Sequence, residues 1–190
     1  IAAYNNYVDY AGPLTFFTTN RCHDLHLMIY TCMLQGRFVD AMNAADQICE
    51  MLTPEVLGVN GLPQLAATME GYFSMRMHVL VRFGRWQDIV DAPLPPDPEL
   101  YCVSLAMHHY AKGVAEAALG NFESAELHRE AFDEAITNIP KSRRFFNNAA
   151  INVLAVGEKM LDGELAYHQG DVEEAFEHLR ESVRRDDDLA

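Results

Sequence analysis

The chain has 190 residues and 49% of them are hydrophobic, enough to build a packed core, which excludes a natively disordered chain. Its 28 acidic residues outnumber 14 basic ones, for a net charge of −14, and only Lys112, Lys141 and Lys159 are lysines. Such a field repels phosphate backbones and steers cationic partners inward, which argues against nucleic acid as a partner. Every apolar run is too short to span a membrane, so no membrane partner is expected.

Residues 1–20 lack the basic start and long apolar stretch of a secretion signal and read as an irregular segment. There is no initiator methionine, so the chain reads as a fragment or a processed product. Residues 21–190 form a helical array. Helical apolar spacing covers 21–34 and 37–52, ended by Thr53-Pro54. A long helix over 63–83 and a short one over 85–91 follow. Pro93, Pro95, Pro96 and Pro98 then forbid helix, because proline lacks the N–H donor and clashes with the preceding turn. Helices over 99–119 and 121–138 come next, the second stopped by Pro140. The chain closes on a long helix within 142–169 and another over 171–185, and no strand pattern is present.

Glycine punctuates these elements. Gln35–Phe38, Phe83–Trp86, Leu119–Phe122 and Gln169–Val172 each carry a Gly that ends one helix in a left-handed conformation, and each opens the next helix. The glycines are 48, 36 and 50 residues apart, so the array is irregular. Cys22, Cys32, Cys49 and Cys102 have no C-x-x-C spacing and read as free core thiols of a reducing, cytoplasmic compartment.

These helix–Gly–helix units resemble tetratricopeptide repeats, which place a small residue seven before the turn Gly and Ala five after it. The fourth unit matches best, with Gly163, Gly170, Ala175 and Leu179 in register. The third has Gly113, Gly120, Phe122 and Ala125, but departs at Arg129 and Phe132. The first has Gly36, Phe38 and Ala41, and the second keeps only Gly84 and Trp86. The resemblance covers roughly 21–185 and implies an all-α fold, an α-solenoid of about four irregular tetratricopeptide-like helix pairs.

The resemblance also implies a non-enzymatic scaffold that holds a protein or peptide along the wall made by the first helix of each pair. Carried over by position, that wall comprises His23, His26, Tyr30, Met75, His78, Arg82, Met107, Tyr110, Glu164, Tyr167 and His168. Where family members gripping a chaperone's C-terminal carboxylate use Lys and Asn, this chain has His26 and Tyr30, which argues against that partner.

Two alternatives stand beside this reading. His23 and His26, three apart on one helix face, could chelate a metal with His78 as a third ligand, although no zincin or haem-attachment signature is present and no cofactor is implied. Val172, Ala175, Phe176, Leu179 and Val183 form an apolar stripe on the last helix that more chain or a second copy would cover, unless the stems of Arg180, Arg184 and Arg185 shield it. Of the remaining histidines, one of His108 and His109 is expected buried, and His128, His168 and His178 lie on a solvated face. The basic run Lys141–Phe146 could seat an acidic group.

Overall fold

A computed structural model describes residues 6, 7, 10, 17–58 and 63–189. These residues are largely helical, so the chain is all-α. The helices are α1 (Phe17–Leu34), α2 (Phe38–Met51), α3 (Pro54–Leu57), α4 (Pro63–Met69), α5 (Met75–Arg82), α6 (Trp86–Asp91), α7 (Cys102–Ala118), α8 (Phe122–Thr137), α9 (Ala150–Gln169) and α10 (Val172–Asp187). A 3₁₀ turn, Glu70–Ser74, joins α4 to α5, and a small hairpin of β1 (Arg144–Phe145) and β2 (Asn148–Ala149) precedes α9.

The turn glycines do what their spacing predicts. Gly36, Gly84, Gly120 and Gly170 have φ of +71°, +63°, +81° and +99°. At each, the next residue's N–H reaches back to a carbonyl of the outgoing helix, as Arg37 to Cys32 (2.8 Å) and Asp171 to Ala166 (2.9 Å). One backbone motif therefore closes α1, α5, α7 and α9 and launches α2, α6, α8 and α10. The small residues let helices touch, within a pair at Gly163 and between α7 and α9 at Gly113. A Cβ built on Gly163 would lie 2.7 Å from Leu179 Cγ, and one on Gly113 would lie 2.9 Å from Leu161 Cδ1. Ala41, Ala125 and Ala175 are fully buried across those seams.

The closest packing is within the pairs α9–α10, α7–α8 and α1–α2. Each pair then packs on its neighbour in the chain: α1 and α2 on α5, α5 and α6 on α7, and α7 and α8 on α9. The second pair is cut short, as the prolines require. Ala92 before Pro93 takes extended angles (φ −65°, ψ 133°) that end α6 at Asp91.

Three expectations need correction. Helix α1 starts at Phe17, inside the segment read as irregular; most of the remainder of 1–16 lies outside the described residues. The helix expected over 63–83 is broken by the 3₁₀ turn. The long helix expected within 142–169 is there, over Ala150–Gln169, but the residues before it form a hairpin where no strand was expected.

Buried polar groups bind the layers together. Glu70, 1% exposed, accepts from the N–H groups of Val103 (2.8 Å) and Ser104 (3.1 Å) at the start of α7. Lys112 Nζ donates to the carbonyls of Ile89 (3.1 Å) and Val90 (2.5 Å) near the end of α6. The Tyr101 hydroxyl donates to the Leu52 carbonyl just beyond α2. Between α8, α9 and α10, Arg129 pairs with Asp133, Glu158 and Asp162, and Arg185 with Glu158 and Glu181. Among the described residues no helix is long and apolar enough to cross a membrane.

Candidate groove and aromatic seat

The first helices of the successive pairs converge on a cavity of about 490 Å³. Helix α1 contributes Tyr30, Met33 and Leu34, and α5 contributes Met77, His78, Val81 and Arg82. Helix α7 supplies Met107, Tyr110 and Ala111, and α9 supplies Val153, Val156, Gly157 and Met160. Asp186 and Leu189 at the end of α10 close one side. The lining is flexible and apolar, with thioethers on all four walls, a surface that adapts to the shape of what enters. Its rim stays apolar where it meets solvent: Leu34 is 80% exposed, Tyr30 52% and Met160 39%.

Five of the residues carried over by position line this cavity: Tyr30, His78, Arg82, Met107 and Tyr110. Six do not. His23 is exposed on α1, and His26 lies beside the cavity under the hairpin. Met75 is buried in the core, while Met77 and Val81 join His78 and Arg82 on the cavity wall. Glu164, Tyr167 and His168 lie beyond the cavity, since the N-terminal half of α9 covers it and its C-terminal half runs past. Met33 and Leu34 could have been found by continuing the stripe from His26 and Tyr30 along one helix face. No sequence signal marks Asp186 or Leu189.

At one end of the cavity is a cluster of rings. Phe146 stacks on His26 (centroids 4.5 Å apart) and meets Tyr72 edge-on (4.9 Å). The His26 ring also meets Tyr72 (5.6 Å) and Tyr30 (5.0 Å), and Tyr30 belongs to the cavity wall. Phe145 and Phe146 are split by the hairpin. Phe145 is 6% exposed and fits the notch left by Gly71, where a Cβ would lie 2.8 Å from its ring. Phe146 sits at the tip with φ +55°, the one non-glycine with positive φ among the described residues. A bulky side chain resists that conformation, so the surroundings hold it there.

Burial governs the titrating groups. It lowers the pKa of His26 and His78 to about 4, helped in His26 by the neighbouring His23 and in His78 by His26. Both are therefore neutral near pH 7, and the Nε2 atom of each is buried with no hydrogen-bond partner among the described residues. His108 is likewise lowered to about 4 by burial, and its Nδ1–H donates to the Ser104 carbonyl at 2.7 Å. This is the buried histidine expected at 108–109. His128 departs from the solvated reading: its Nδ1 lies 3.2 Å from His109 Nδ1 across α7 and α8. Burial pushes the Cys22 and Cys49 thiols up to about 12, which leaves little nucleophilic thiolate.

The metal alternative meets a geometric obstacle. Among the described residues no three His, Cys, Asp or Glu side chains gather into a group that could hold an ion. His23 is turned to solvent while His26 is capped by Phe146. Two further clefts, of about 480 and 440 Å³, lie where α6 is truncated, and their charged side chains are largely paired, as in Arg76–Asp46 and Arg85–Asp88. Comparison with protein-family models, with curated proteins and with solved structures gives no match to this chain.

Proposed function

We propose that this chain is a non-enzymatic binding module, an irregular tetratricopeptide-like solenoid that holds a polypeptide segment against the first helices of its pairs. One observation carries the reading: α1, α5, α7 and α9 turn adaptable apolar side chains toward one cavity. A segment of protein suits it better than a compact small molecule, because the rim itself leaves Leu34, Tyr30 and Met160 exposed to solvent. Neighbour-to-neighbour packing of the pairs supports the solenoid reading, and so do the close helix approaches at Gly113 and Gly163.

The test uses peptides selected from a random display library and ¹³C-methyl methionine spectra. Bound peptides are expected to move the resonances of Met33, Met77, Met107 and Met160 and to leave Met42, on the opposite cleft, in place. The double substitution Leu34→Asp/Met160→Asp alters exposed positions, so it is expected to keep the melting temperature while weakening those peptides at least tenfold. Selected peptides that perturb only Met42, or that bind the double variant equally well, defeat the proposal.

A second reading rests on α10. Val172, Phe176 and Val183 are 46%, 46% and 62% exposed along one face, while Ala175 is buried and the Arg180 guanidinium covers the Phe176 ring from 5.7 Å. If two copies meet there, sedimentation is expected to show concentration-dependent self-association that Phe176→Asp abolishes. A parent protein that stays monomeric at every concentration refutes it.

A further inference from the structure

We propose that His26, Tyr30 and Tyr72 form an aromatic-binding subsite, filled in the free protein by the chain's own Phe146 and taken over by an aromatic side chain of the bound polypeptide. The inference rests on the groove reading above, since Tyr30 is both a wall of the cavity and 5.0 Å from His26.

The geometry of the present occupant argues for it. Phe146 has a face-to-face partner in His26 and an edge-on partner in Tyr72, the contacts that select a ring over an aliphatic group. Yet it remains 38% exposed, so its seat is open on one side. Its left-handed backbone is one that glycine or asparagine adopts readily and phenylalanine does not. A two-residue hairpin connection demands such angles, and the sequence places an aromatic residue there instead. The hairpin, not the seat, imposes this backbone, so the ring can leave by a turn of the tip side chain.

Departure does not require unfolding the hairpin. Phe145 is locked over Gly71, and β1 and β2 stay paired from Arg144 to Ala149, so only the tip must turn. Uncovering the seat also frees His26 Nε2, which has no partner among the described residues. A phenol hydroxyl or an indole N–H can satisfy that nitrogen, and the benzyl ring of Phe146 cannot. The occupant that fits best is therefore a tyrosine or tryptophan side chain, with its flanking apolar residue in the methionine-lined cavity.

The test empties the seat in two ways. Phe146→Gly removes both ring and strain, and Phe146→Asn keeps a residue that tolerates the hairpin angle. The probes are p-cresol and its saturated counterpart 4-methylcyclohexanol, followed by the His26 ring-proton shifts. Both variants are expected to bind p-cresol at least tenfold more tightly than the parent and to prefer it severalfold over the saturated alcohol. Equal binding by parent and variants, or no preference for the aromatic ring, overturns the subsite. Groove-binding peptides that lack any aromatic residue also overturn it while leaving the binding-module reading intact. Failure to find any groove-binding peptide defeats the binding-module reading instead, and the p-cresol comparison still decides the seat.

Discussion

Replacing Glu70 by Leu is expected to lower the melting temperature by about 10 °C, from a loss of about 3–5 kcal/mol. Helix α7 is the central helix of the fold, packed on α6, α8 and α9, yet its own flanking residue Tyr101 supplies no side-chain cap. Glu70 supplies it from the 3₁₀ turn. One carboxylate oxygen accepts from Val103 N–H, the other from Ser104 N–H, and the Ser104 hydroxyl lies 2.9 Å from the latter. These are the second and third residues of α7, whose N–H groups have no partner inside the helix. Leucine fills the volume but leaves both donors buried and unpaired. Glu70→Gln is expected to cost about 2 kcal/mol, because its amide keeps one acceptor and turns an NH₂ group against a donor. Thermal unfolding followed by circular dichroism separates the two variants. An unchanged melting temperature for Glu70→Leu would show that α7 does not depend on this cap.

Acid is expected to unfold the protein between pH 6.5 and about 4. In the unfolded chain histidine titrates near pH 6.5, whereas folded His26, His78, His108 and His109 are each lowered to about 4, first by burial. Between those values the unfolded chain binds more protons than the folded one, so stability falls as pH drops and levels off below about 4. For His108, which is 4% exposed, the lowering corresponds to about 3 kcal/mol. His26, His78 and His109 are less buried than His108, so water screens them and each contributes less. The His108 contribution alone is a sizeable part of the whole stability of many domains, and the other three histidines add to it. Two carboxylates act alongside. Burial raises the Glu70 pKa, so its protonation as pH falls favours the folded state and opposes the loss. Asp162, lowered overall by Arg129 and Lys159 despite burial, adds to the loss as pH falls through its own depressed value. His108→Asn retains an amide donor for the Ser104 carbonyl but cannot titrate, so its acid limb is expected to move to lower pH. Stability that stays flat from pH 7 to pH 4 would refute this account.

The helix pairs were legible in the sequence because what defines them is local. A glycine at each turn is read from the chain alone, since a left-handed residue there is a property of one backbone position. The fully buried Ala41, Ala125 and Ala175 follow from helical spacing counted from those glycines. The truncation of α6 follows from Pro93, since the residue before a proline is pushed to extended angles.

Only the tertiary structure decided which side chains meet. The 3₁₀ turn exists in company with Glu70 capping α7 more than thirty residues onward and with Phe145 filling the space above Gly71. Neither partner is visible in the local pattern, and packing leaves Met75 in the core while Met77, equally buried, reaches the cavity wall. The hairpin left no strand signal because each strand is two residues long, too short for alternation to register. The sequence by itself determined where the chain turns and which helices pair, because backbone conformation and small-residue spacing are short-range. The cavity walls and the aromatic seat depend on helix phase and on loops returning from a distance, so they emerge only when the whole chain is packed.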